Sequence, residues 1–316
     1  MLKNKMFRAP LMLIAMLVLT AASRFIDPAI LGYDDTLYLS IVILQLVAVA
    51  LPAVFYAKSE PSGYVKKLAL TPIPPTRLWF FSISLLLLLS GSSVIRLIMA
   101  NLGNTSSIFG EYSAVAASSM SSVSDVIYVI VALAIVPAIC QEFAFRSILL
   151  TEYREYGVLC TVVITALASS MLQFDLPYFL LYFYNAAIYA FAVYITKSSL
   201  SALLLHLCYN VLNLFFEKYL IRIVSQSEYA TLNAFILISL FLFSLFLAFS
   251  EAERLTSNDA IIEGEKEDED DEEDDVPFRP NGYRRSFDSF RPLFKAIVSP
   301  TFLICIALFL LGLLIP

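Results

Sequence analysis

Three short strings carry the polar side chains that stand out from an otherwise apolar chain. In QEFAFR, Gln141, Glu142 and Arg146 fall together, and Glu142 and Arg146 are four residues apart. That spacing puts them on one helix face, within reach of an ion pair. In SALLLHLCYN, His206 and Asn210 share the same spacing, and His206 is the one histidine of the sequence. Between these strings, SSMLQFDLPYF ends an apolar stretch at Gln173 and begins a turn with Asp175 and Pro177. Asp175 suits an N-cap for residues from Pro177 onward. Charged groups at membrane depth cost at least ~2.5–3.5 kcal/mol, so those that persist face the bundle interior and have partners. One reading makes Glu142–Arg146 a pin between helices and His206 an interhelical hydrogen-bonding group. The other gathers all of them at one chemical site. A single His without a second His, Cys or carboxylate at helical spacing makes a weak metal site.

The elements that must position these groups are membrane helices. Of 316 residues, 59% are hydrophobic and 15% charged, and the mean hydropathy is +0.78. Soluble domains hold roughly 45–50% apolar and about 25% charged residues. Soluble, disordered, collagenous, disulfide-scaffold and nucleic-acid-binding classes are thereby excluded. Nine apolar runs approach the ~20 residues that cross a bilayer, at 8–23, 36–57, 77–100, 124–150, 156–173, 177–196, 199–220, 230–250 and 296–315. The expected fold is all-α, a polytopic membrane helix bundle with an eight-helix core and one further C-terminal helix. The expected organisation is a membrane core at 1–250, an acidic, disordered cytoplasmic loop at 251–295 and the last helix at 296–316. Small residues such as Ala166, Ala168, Ser169, Ser170, Ala186, Ala187 and Ala190 allow close approach of the helices carrying the three strings.

The formal charge of −6 is set by one segment. Residues 263–275 hold eleven acids and Lys266, and the remaining sixteen acids and twenty bases balance to +4. With the N-terminus in the cytoplasm, seventeen Lys and Arg fall on the cytoplasmic side and four outside. The positive-inside rule then places the acidic loop in the cytoplasm and the C-terminus outside. The expected location is a prokaryotic plasma membrane. Cys140, Cys160, Cys208 and Cys305 all lie in apolar runs without metal-ligand spacing and read as small hydrophobes.

Taken together, the three strings resemble the CPBP family of CAAX prenyl proteases, bacteriocin-processing and self-immunity proteins and related intramembrane peptidases. The family's pattern is Glu-Glu-x-x-x-Arg, then Phe-x-x-x-His, then His-x-x-x-Asn. Here the first is Gln141 to Arg146 and the third, intact, is His206 to Asn210. The second is best placed at Ser169 to Gln173, before Leu176-Pro177-Tyr178-Phe179. Thr196-Lys197-Ser198-Ser199-Leu200 stands where members often carry a Thr-Gly-Ser-Leu-like turn. The resemblance covers about residues 60 to 220.

What the resemblance implies is qualified by two replacements. Members are thought to hold and deprotonate a water with the first-motif Glu and the second-motif His, and to stabilise the oxyanion with the third-motif His and Asn. By spacing to Arg146, Gln141 stands where that Glu belongs, and Gln173 where the His belongs. An amide orients water but does not take its proton, and general base catalysis typically supplies 10²–10⁴-fold. The resemblance therefore implies a site of Glu142, His206 and Asn210, supported by Arg146, with Gln141 and Gln173 as degenerate positions and reduced or no peptidase activity. The expected partners are membrane lipids, a hydrophobic or lipidated peptide, or another membrane protein, and no nucleic acid. No cofactor is expected, and the ligands for the divalent metal that the family allows look incomplete. The alternatives are an active endopeptidase with Glu142 as base, and a transporter-associated or structural membrane protein. Depth counting at ~1.5 Å per residue puts Gln141 about 14–16 Å and His206 about 10 Å from their helix ends, but Gln173 near 25 Å. That mismatch leaves Asp175 as a second candidate for the second motif.

Overall fold

In a bilayer each run must satisfy its backbone internally, so the apolar runs become helices. The computed structural model describes residues 5–26, 36–61, 64, 68–103, 123–225, 229–269 and 290–315, and no strand occurs among them. The helices are α1 (Lys5–Ser23), α2 (Tyr38–Ser59), α3 (Pro75–Asn101), α4 (Val123–Tyr156), α5 (Val158–Met171), α6 (Phe179–Thr196), α7 (Ser199–Ser225), α8 (Ala230–Glu269), α9 (Phe290–Ile297) and α10 (Pro300–Gly312). Residues 104–122, between α3 and α4, and the acidic run from residue 270 on lie outside the described residues.

The all-α membrane bundle is as expected, with a different tally of full crossings. Among the described residues six helices (α2, α3, α4, α6, α7 and α8) are long and apolar enough to cross. The pair α9–α10, bent by 61°, makes a seventh if counted as one span. The apolar part of α1 (Phe7–Ser23) and α5 are shorter. At ~1.5 Å per residue α5 rises about 21 Å, against the ~30 Å of a hydrocarbon core.

Two apolar clusters divide the bundle. One joins α1, α2, α4, α5 and α10, with Leu13, Ala144, Phe145 and Cys305 fully buried. The other joins α3, α6, α7 and α8 around Leu88, Ala190 and Leu205. Small residues lie where the hairpin of α5 and α6 closes: Ala166, Ala168, Ser170, Ala186 and Ala190 are buried. Exposed Phe235, Phe243, Phe246 and Phe249 on α8 suit contact with acyl chains.

Three helical stretches are wound as π-helix: Gln45–Ala50 in α2, and Val131–Ile135 and Phe143–Leu149 in α4. Pro52 and Pro137 follow the first two. Each lacks the N–H that would bond four residues back, and its ring crowds that carbonyl, so the preceding turn widens. The third stretch has no proline to account for it.

α8 does not stop at residue 250, where the sequence suggested a loop, but continues to Glu269. An ion-pair node holds this extension. Arg77 donates to both oxygens of Asp259 at 2.7 and 3.0 Å and also to the Ile195 carbonyl. Lys197 Nζ lies 2.8 Å from Asp259 Oδ2.

Candidate functional site

The site begins with the hairpin that joins α4 to α5. Helix α4 tightens over Arg154–Tyr156 and turns at Gly157, whose φ of 94° is left-handed. Thr161 Oγ1 donates to the carbonyls of Tyr153 (2.9 Å) and Gly157 (2.7 Å), closing the turn. Gln141 and Gln173 each lie sixteen residues from Gly157, so an antiparallel hairpin brings them to the same depth, about 24 Å from the turn. This corrects the depth mismatch, which arose from ending α4 near residue 150. Gln173 Nε2 donates to Gln141 Oε1 at 3.5 Å, and Gln141 Nε2 donates to Gln45 Oε1 at 3.4 Å.

Behind this row of amides lies the charged pair. Glu142 Oε1 is 2.7 Å from His206 Nδ1, and its Oε2 is 3.2 Å from Arg146 Nε, off the line of a hydrogen bond. Arg146, 1% exposed, also donates to Ser169 Oγ (3.3 Å) and to the Ala186 carbonyl (3.0 Å). Its guanidinium lies over the Tyr189 ring at 5.3 Å, and that ring stacks on His206 at 5.0 Å and 18°. A carboxylate only accepts, so Glu142 fixes the proton of His206 on Nδ1 and leaves Nε2 as the other ring nitrogen. Among the described residues Nε2 has no hydrogen-bond partner, and neither has the side chain of Asn210.

These groups border one cavity of about 490 Å³, walled by α1, α2, α4, α5, α6 and α7. Gln141, Gln173, His206 and Asn210 all line it, whereas Glu142 and Arg146 do not and sit behind the wall. Asp175 is not part of it. It accepts from the Tyr178 backbone N–H (3.1 Å) and the Tyr182 hydroxyl (3.4 Å), closing the turn before α6, whose N-cap is Tyr178. Of the two candidates for the second motif, Gln173 lines the cavity and Asp175 does not.

Gln45, Asn185 and Tyr189 also line it and are not singled out from the sequence. Gln45 carried a signal, as an isolated amide in the run LSIVILQLVAVAL. Tyr189 carried none, since its contact with His206 spans two helices. Among the described residues no group of three or more His, Cys, Asp or Glu gathers to hold a metal ion, and only Glu142 and His206 meet here.

Residues 123–212, from α4 into α7, match the family described as type II CAAX prenyl endopeptidase Rce1-like. The CPBP resemblance is borne out over this segment. It spans all three motifs, so the CPBP-like part contributes α4 to α7 of the cavity, and α1 and α2 close it from outside the match. No curated protein and no solved structure matches the chain.

Proposed function

We propose that this CPBP-like membrane protein binds an extended hydrophobic peptide segment in the cavity and holds it without cleaving it. The observation that carries the reading is the division of the polar groups. Both oxygens of Glu142 are turned to His206 and Arg146, whereas the row of amides Gln45, Gln141 and Gln173 faces the cavity together with Asn210 and the His206 ring. Each amide offers a donor and an acceptor. A peptide backbone drawn out of water needs both, because its unpaired N–H and C=O groups cost several kcal/mol each in an apolar medium. With amides at the positions of the family's Glu and His, nothing in the row takes a proton from water. The same surface accepts the peptide part of a lipidated ligand or a segment of another membrane protein. The charge asymmetry supports an N-terminus and acidic loop in the cytoplasm and a C-terminus outside.

The test uses purified protein in nanodiscs and a fluorescent hydrophobic peptide. The native chain is expected to bind it without turnover, and Gln141→Glu with Gln173→His to gain hydrolysis on the order of 10²-fold or more. A native chain that neither binds nor cleaves any such peptide overturns the reading. One observation favours a second reading. The 2.7 Å Glu142–His206 contact is the arrangement in which a carboxylate steadies an imidazole base. Cleavage by the native chain that is abolished by His206→Ala and weakened by Glu142→Gln establishes an active endopeptidase instead.

A further inference from the structure

The α10 helix lies outside the family-matched segment and packs on α1. Its contact with the cavity runs through two lining residues, Phe174 and Arg24. Phe174 is 5% exposed and has a φ of 48°, a left-handed backbone that side chains rarely adopt. Three contacts hold it there. Its ring fills the space above Gly312, where an added Cβ would come within 2.1 Å of the ring, and it stacks on Phe309 at 6.0 Å. Arg24, after α1, donates to the Phe174 carbonyl at 3.2 Å and lies over the ring at 5.3 Å. The same guanidinium donates to the carbonyls of Gly312 and Ile315 at 3.2 and 3.0 Å, tying the end of α10 to the turn. Gln173, the next residue back, reaches Gln141 across the cavity.

We infer that α10 is a positioning support behind the binding cavity: Gly312 and Phe309 of α10, with Arg24 after α1, lock Phe174 in its left-handed backbone, and that lock aims Gln173 at Gln141. Gly312 and Phe309 touch no cavity space themselves, so they set what the cavity accepts from one layer behind it. A left-handed non-glycine residue persists only where its surroundings over-determine it. Once the ring is expelled or the carbonyl released, the turn relaxes and the Gln173 amide leaves the row. This rests on the cavity being the binding site.

The experiment installs Gln141→Cys with Gln173→Cys in the full chain in nanodiscs, with Cys140→Ala throughout. A short bis-methanethiosulfonate reagent bridges the pair, and mass spectrometry reads the yield. The parent pair is expected to bridge. Gly312→Ala is expected to lower the yield about fivefold in protein that keeps its unfolding transition, and to have no further effect in a Phe174→Ala background, because the atom it clashes with is gone. Arg24→Gln is expected to lower the yield too, and Arg24→Lys, which keeps donors for the carbonyls, to recover most of it. An unchanged yield in folded Gly312→Ala or in Arg24→Gln overturns the inference while leaving the cavity reading intact. If Gly312→Ala does not accumulate, Arg24→Gln decides alone. A parent pair that does not bridge overturns both.

Discussion

Glu142 is held by two groups of different kinds, the Arg146 guanidinium and the His206 imidazole, and its replacement separates its structural part from any chemical one. Arg146 is fully enclosed, and its one facing carboxylate among the described residues is Glu142. Glu142→Ala leaves that charge uncompensated and is expected to cost about 3–5 kcal/mol, read as a lowered unfolding temperature in detergent. Glu142→Gln keeps an acceptor for His206 Nδ1–H and is expected to cost less. Equal stability of the Ala variant and the native chain would show that the pair is not what secures these helices. Lys197 offers a second test at this scale. It ends α6 with a φ of 56° while its ammonium pairs with Asp259. Lys197→Gly removes the left-handed penalty together with the ion pair, whereas Lys197→Ala removes only the ion pair. The Ala variant is therefore expected to be the less stable by about 1 kcal/mol, and a reversed order would mean that the backbone there is unstrained.

At the scale of elements, winding decides where the polar groups point. Pro137 widens Val131–Ile135, one turn before Gln141. With the missing N–H restored, Pro137→Ala is expected to return that stretch to α-helix. The register of Gln141 against Gln45 and Gln173 then rotates, and affinity for the hydrophobic peptide falls about tenfold, roughly one lost charge-free hydrogen-bonded contact. Unchanged affinity would detach the π-winding from the site. Much of this scale is legible in the sequence: every apolar run is a helix, because hydrophobicity of that length has no other solution in lipid. The i, i+4 pairs Glu142–Arg146 and His206–Asn210 are legible because one helix carries both members. The alignment of Gln141 with Gln173 is not, since it depends on where α4 ends. That end is set by the tightened turn at Arg154–Tyr156 and by Gly157, neither of which hydropathy records. The hold of Phe174 on Gln173 is equally hidden, because its partners, Arg24 and Gly312, lie 150 and 138 residues away in the chain.

For the whole molecule, the short α5 sets the depth of the cavity. The ends near Arg77, Gly157 and Lys197 gather on one side of the bundle: Arg77 bonds the Ile195 carbonyl and shares Asp259 with Lys197, and α5 starts from Gly157 beside them. From that side α3 runs 27 residues to Asn101, but α5 runs only 14 before the turn at Gln173–Phe174. At ~1.5 Å per residue the two differ by about 20 Å, so the turn is expected to stop within the bilayer and Asn101 to emerge from it. A polar site at that depth is admissible because Arg24 and Asp175 bond its backbone groups and the cavity takes up its side chains. Leu176 and Asn101 are both exposed on the protein surface, which makes them a matched pair of probes. Leu176→Cys is expected to react with a membrane-impermeant maleimide at least about tenfold more slowly than Asn101→Cys in nanodiscs, and to become equally reactive in a denaturing detergent, where burial in hydrocarbon no longer shields it. Equal rates in nanodiscs would put the turn at the water interface. The cavity would then be an aqueous cleft in which amides gain little from pairing with a peptide backbone.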